Sequence, residues 1–233
     1  MARAVKQLRN GKAAGLDGIT NELLTAGGNA LVRAATLLFN RVWETATIAE
    51  DALVAIVRPL LKKGGSSTKA EDTRPIALTS CLLKLLERTV HNRLQRLADR
   101  EGWVQDEQSG FRRLRRIEDN LFVLTVLMDT RARGTTFLAF LDISKAYDKV
   151  WRNGLLAKLL GKGIRGKLWL LLRSMYRNVQ NVVTTDSDEA WFETESGLRQ
   201  GSVLSPLLFN LLIDDLIDHL NKTGIGIRVG ERV

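Results

Sequence analysis

The chain has 233 residues, with 35 Lys and Arg against 26 Asp and Glu, a formal charge of +9. That length supports a full hydrophobic core in one domain or two subdomains, and the cationic excess suits a polyanionic partner. The single cysteine, Cys81, excludes an internal disulfide and a zinc site built on several cysteines. His91 and His219 lack ligand spacing and read as helix-surface residues. With no apolar leader at the start and no apolar run of membrane length, an intracellular protein away from the membrane is expected.

In chain order, residues 2–9 predict a short helix with Val5 and Leu8 on one side, broken by Gly11, Gly15 and Gly18. The glycine-spaced loop Lys12–Ile19 follows. Residues 20–47 carry helical periodicity interrupted at Gly27 and Gly28. Leu53–Lys63 reads as a strand, and Pro59 places it at an edge or bulge. A turn at Gly64–Ser67 returns the chain to a second strand, Thr73–Leu78. Leu82–Glu101 predicts an amphipathic helix striped by Leu82, Leu85, Leu86, Val90, Leu94 and Leu97, ended by Gly102. The loop Gln108–Arg112 opens a basic run through Arg116, either a phosphate contact or a solvated turn. Ile117–Arg133 predicts a second helix, with Glu118 and Asp119 at its positive end and Gly134 closing it.

Phe137-Leu138-Ala139-Phe140-Leu141 is a continuous apolar run and predicts a short strand buried on both faces. Asp142 follows at once. A carboxylate there is costly unless a cation or donors meet it, so Asp142 either caps the next turn or binds a cation. Tyr147 comes a fixed step later. Two short helices follow, over residues 155–160 and 168–175, then a hairpin from Val182–Thr185 and Trp191–Glu195. In the stretch 197–210, Gly197 and Gly201 permit close backbone approach to a ligand. Ser205-Pro206 predicts a helix start with Ser205 as N-cap. On that helix Asp214, Asp215 and Asp218 share one arc and read as a solvated face, not a metal site. Ile225–Val233 predicts a last strand.

Several of these stretches carry a family resemblance. Phe-Leu-Asp-Ile-Ser-Lys-Ala-Tyr-Asp-Lys-Val-Trp, residues 140–151, resembles the first catalytic palm motif of reverse transcriptases, in the form found in non-LTR, LINE-like retrotransposons. Gly-Leu-Arg-Gln-Gly-Ser-Val-Leu-Ser-Pro-Leu-Leu-Phe-Asn, residues 197–210, resembles the second palm motif. The strand, basic loop and Arg-Pro-Ile of residues 53–78 resemble the fingers hairpin. Lys12–Ile19 and Gln108–Arg112 resemble the family's entry and template segments. Thr73 stands where an aromatic is common, and residues 112–119 follow the family pattern only loosely.

The resemblance implies an α/β fold, with fingers over about residues 1–135 and an incomplete palm over 136–233, an antiparallel palm sheet packed on helices and no thumb. It implies an RNA-directed DNA polymerase that adds a dNTP to the 3′-hydroxyl of a DNA primer on an RNA template, using two Mg2+ ions. Asp142 is the implied catalytic residue and, with Ile143, the implied metal ligand. Arg74, Lys62 and Lys63 are implied to hold the triphosphate, Tyr147 the sugar, and Gln200 and Gly201 the incoming nucleotide and template base. Phe111, Arg112 and Arg199 are implied template contacts. An endonuclease domain is implied for the intact element. The family's paired aspartates, on a later hairpin, find no match before Val233, so the isolated chain is expected to be inactive. The alternatives are a non-catalytic nucleic-acid-binding remnant and an interaction scaffold.

Overall fold

A computed structural model describes residues 1–66, 69, 72–130, 135, 137–184 and 188–224. Its first half opens with helices α1 (Ala2–Val5), α2 (Asn21–Ala26), α3 (Gly28–Thr45) and α4 (Glu50–Leu53). The break between α2 and α3 falls at Gly27, as the glycine pair predicts. Strands β1 (Ala55–Leu61) and β2 (Thr73–Thr79) pair antiparallel from Ala55 opposite Thr79 to Leu61 opposite Thr73. Burial falls steadily along β1, from buried Ala55 to exposed Leu61, so the hairpin projects away from the core.

Strands β3 (Gln180–Thr184) and β4 (Glu189–Glu193) form the second predicted hairpin. β3 lies parallel to β1, with Ala55, Ile56 and Val57 opposite Asn181, Val182 and Val183. The sheet order is β2-β1-β3-β4. The α/β class therefore holds, but this sheet is mixed where an antiparallel one is expected. The long helical crossover between β1 and β3 is what permits a parallel pair. The sheet also joins strands from both sides of the expected fingers–palm boundary. Pro59 sits beyond the end of the β3 ladder, where its missing N–H breaks no bond to that strand.

The helical layer is organised on α5 (Cys81–Arg100), capped by Ser80 Oγ, which accepts from the Leu83 N–H at 3.2 Å. Leu83, Leu85, Leu86, Val90, Leu94 and Ala98 form its buried stripe, and Leu82 and Leu97 flank it half-buried. α7 (Arg152–Gly161), α8 (Gly166–Ser174) and α9 (Ser205–Thr223) complete the core through Leu155, Leu159, Leu171, Leu172, Leu208 and Leu211. Among the described residues no helix is long and apolar enough to cross a membrane.

Three expectations are corrected. Phe137–Leu141 is not a buried strand: it has no regular structure, and Phe137 and Leu141 are 90% and 91% exposed. A strand needs a neighbour to take its backbone N–H and C=O groups, and among the described residues none lies beside this run. Helix α6 (Ile117–Thr130), earlier in the chain, is likewise exposed on nearly every side. Ser205 does not cap α9; its hydroxyl donates to Arg199 O at 2.8 Å, and Ser202 Oγ accepts from the Leu204 N–H at 3.1 Å. Asp214 is buried, accepting from the Gln105 N–H at 2.9 Å with Lys162 Nζ at 3.8 Å, whereas Asp215 and Asp218 are exposed as expected. His91 is half-buried on α5, and His219 is exposed. The expected strand Ile225–Val233 lies outside the described residues.

Candidate active site

The two motif segments, residues 142–151 and 197–201, meet backbone to backbone. The Gly197 N–H donates to Val150 O at 2.8 Å and the Leu198 N–H to Tyr147 O at 2.9 Å. Ser196 Oγ donates to Asp148 O at 3.2 Å, and Gln200 Nε2 donates to Asp148 Oδ1 at 2.8 Å. This approach needs a residue without a side chain. Gly197 has φ +87°, and a Cβ there would lie 2.8 Å from Asp148 O. Gly201, at φ +80°, brings the same loop onto β2, where a Cβ would lie 2.7 Å from Ala77 O. Between loop and sheet is a cavity of about 570 Å³ lined by Pro75, Ala77, Asp148, Arg152, Asn181 and Gln200.

Tyr147 is half-buried in an aromatic row. Its ring stacks on Phe209 at 5.1 Å and 15°, and meets Phe111 edge-on at 6.2 Å and 88°. Burial raises the Tyr147 hydroxyl pKa, so it stays protonated near neutrality. The row joins the 108–112 loop to α9. Asn210 fixes that loop: its Oδ1 accepts from Gln108 Nε2 at 3.0 Å, and its Nδ2 donates to Gly110 O at 2.7 Å. Arg112 Nη1 donates to Gln105 O at 2.6 Å and to Gln108 O at 3.2 Å, so part of this guanidinium holds its own loop.

Beside the rings, a groove of about 1150 Å³ runs between α5, the 102–113 loop and α9, lined by Arg9, Arg88, His91, Phe111, Arg112 and Arg113. A neighbouring hollow of about 540 Å³ continues it through Lys6, Lys12 and Lys84, sharing Arg9 and Arg88. The acids Asp99 and Asp106 also reach the larger groove. Burial lowers the His91 pKa, and Arg88 adds to the shift.

Five of the expected residues, Asp142, Ile143, Lys62, Lys63 and Arg74, do not join this cluster. Asp142 and Ile143 are exposed on the irregular segment that follows Leu141. Lys62, Lys63 and Arg74 lie exposed toward the projecting end of the β1–β2 hairpin. Arg74 alternates onto the opposite face of β2 from Pro75 and Ala77, which line the cavity. Arg199 is 6% exposed, donates from Nη2 to Leu53 O at 2.8 Å, and lines the cavity beside Gln200. Burial lowers its pKa, opposed by the charge of Glu87. Glu87 is buried too, its Oε2 accepting from the Val203 N–H at 2.8 Å. Burial raises its pKa, opposed by Arg199.

Sequence reasoning missed Asp148, Arg152, Phe209 and Asn210. All four lie inside or beside the two recognised motifs, and their proximity in the chain was the available signal. Glu87 gave a different one, an acid on the apolar side of an amphipathic helix.

A family profile described as "Reverse transcriptase (RNA-dependent DNA polymerase)" matches residues 60–229. The chain belongs to this reverse transcriptase family. Among its relatives, the "Probable RNA-directed DNA polymerase from transposon BS" of Drosophila melanogaster is 27% identical over 93% of this chain and 24% of its own length. The "RNA-directed DNA polymerase from mobile element jockey" of Drosophila funebris is 28% identical over 95% of this chain and 24% of its own. The "Retrovirus-related Pol polyprotein from type-1 retrotransposable element R2" of Popillia japonica is 30% identical over 74% of this chain and 24% of its own. This chain thus spans about a quarter of these relatives' length, and its kind is that of non-LTR retroelements. Among solved structures, apo telomerase from Candida Tropicalis, truncated from its C-terminal domain, aligns at 14% identity and a TM-score of 0.49, over 83% of this chain and 45% of that one.

The family implies divalent-metal chemistry. Among the described residues no group of three or more His, Cys, Asp and Glu side chains is placed to hold a metal ion. A divalent pair needs several oxygen ligands, and the one carboxylate of Asp142 falls short of that. The described residues do not by themselves fit such a site.

Proposed function

We propose that this domain adds deoxynucleotides to a DNA primer on an RNA template, with Tyr147 against the sugar of the incoming nucleotide and Gln200-Gly201 beside it and the template base. The observation that carries the reading is the backbone pairing of residues 147–150 with 197–198. It sets Tyr147 and Gln200 on two sides of one turn. The basic groove beside Phe111 supports a place for the template strand, with Arg112, Arg113 and Arg88 facing its phosphates. We assign Lys62, Lys63 and Arg74 to the triphosphate, reached from the projecting hairpin. β3 and β4 go with the fingers, since they extend the sheet of that hairpin; the palm begins near residue 136. The metal of this reading is Mg2+, two ions, with Asp142 and the Ile143 carbonyl supplying part of the ligands and the rest lying outside the described residues. We also infer that the isolated 233-residue chain does not extend a primer, since among the described residues Asp142 falls short of the ligands two ions need.

The test is binding of an RNA–DNA hybrid across a salt series. Log affinity should fall linearly with log salt, and replacing Arg9, Arg88 and Arg113 together by Gln should flatten the slope by roughly 2 to 3. A flat series for the unaltered chain, or a triple variant with the same slope, sinks the assignment of the groove. Primer extension by the isolated chain, abolished by Asp142→Ala, would overturn the reading that this chain falls short of the ligands two ions need.

A further inference from the structure

Arg152, the first residue of α7, is 9% exposed, and among the described residues no carboxylate lies within ion-pair distance of it. Its guanidinium meets backbone instead. Nε donates to Gly197 O at 2.8 Å; Nη1 donates to Tyr176 O at 3.3 Å and to Thr194 O. Nη2 donates to Thr194 Oγ1 at 3.1 Å and to Ser196 O at 3.0 Å. The guanidinium carbon also sits 5.7 Å from the centre of the Tyr176 ring. A guanidinium has five N–H donors in a rigid fork, and here each has an acceptor.

Four carbonyls converging on one buried point carry the negative ends of four peptide dipoles. Left without a donor, each would bear its own desolvation cost, and the turn would open toward water. A lysine offers three donors on a compact head and does not match a planar set of five. Tyr176 lies just past α8; the other acceptors, on Thr194, Ser196 and Gly197, belong to the turn after β4. Immediately beyond them, Gly197 and Leu198 bond to Val150 and Tyr147, and Gln200 reaches Asp148. The side chain at the start of α7 thus holds the turn that sets Gln200 against the Tyr147 segment.

We propose that Arg152 is the positioning residue of the polymerase site, fixing the 194–198 turn so that Gln200 and Tyr147 face one nucleotide and its template base. This rests on the function proposed above.

The experiment uses the 233-residue chain and an RNA–DNA hybrid with 4-thiouridine at the templating position. Three quantities are compared in the unaltered chain and in Arg152→Gln: amide exchange at Gly197 and Leu198, hybrid affinity, and photocrosslinking yield at Tyr147 and Gln200. The expected result is exchange at Gly197 and Leu198 at least tenfold faster, hybrid affinity within twofold, and crosslinking reduced about tenfold. In Arg152→Ala, millimolar methylguanidinium should restore the crosslink, and methylammonium at the same concentration should not. Unchanged exchange at both amides overturns the proposal, as does a crosslink loss matched by an equal loss of hybrid affinity. If Arg152→Gln does not fold, the methylguanidinium rescue of Arg152→Ala decides: no recovery of the crosslink overturns it. If the unaltered chain binds hybrid yet crosslinks at neither residue, the nucleotide assignment fails, and the exchange measurement still decides what Arg152 does.

Discussion

Gly197→Ala separates the two motif segments by one methyl group. The backbone term comes first: an L-residue at φ +87° costs about 1–2 kcal/mol. The new Cβ would then stand 2.8, 3.0 and 3.1 Å from Asp148 O, Cα and C, all main-chain atoms with no rotamer to retreat into. Relief requires the segments to part, stretching Gly197 N–H to Val150 O and Leu198 N–H to Tyr147 O. Losing both costs about 1–3 kcal/mol, giving a total of about 2–5 kcal/mol against a typical domain stability of about 5–15 kcal/mol. Gly163→Ala is the control: φ there is +88° and nothing lies within 4 Å of its Cβ, so only the backbone term applies. Urea unfolding followed by circular dichroism gives both values from the midpoint shift at constant slope. If Gly197→Ala costs no more than Gly163→Ala, and Leu198 keeps its exchange protection, the pairing of the two motifs does not depend on this contact.

The buried Glu87 makes a second prediction. Glu87→Leu leaves the Val203 N–H without its acceptor, a loss of about 1–3 kcal/mol; Glu87→Gln, which keeps an acceptor for Val203, should lose less in the same urea titration. A third concerns pH. Burial first, then Arg88, lowers the His91 pKa below the 6.5 of a free imidazole. Between the folded value and 6.5 the unfolded chain therefore binds more protons, and stability falls as pH falls through that window. Melting temperatures from pH 8 downward should show this decline below about 6.5, and His91→Gln should remove part of it; an unchanged profile refutes the assignment.

Local chemistry made much of the fold legible. The apolar stripe of α5, the glycine break between α2 and α3, and both hairpins are written in neighbouring residues. A helix period, a turn residue or a proline acts within a few positions. The two motifs were legible for the same reason, and the structure brings Tyr147, Gln200, Gly201 and Phe111 into one neighbourhood. Asp142 shows the limit. Its apolar run has the composition of a buried strand, but composition does not supply the neighbouring strand that would bury it.

What the sequence alone determined is the chain's chemistry: its cations, its two motif segments and the glycines between which they approach. Only the tertiary structure decided which charges face inward. Arg152 meets Gly197 across 45 positions, and Asp214 meets Gln105 across 109. The cost of burying a charge is set by the groups that close around it, and those arrive from distant parts of the chain, beyond the reach of any local pattern.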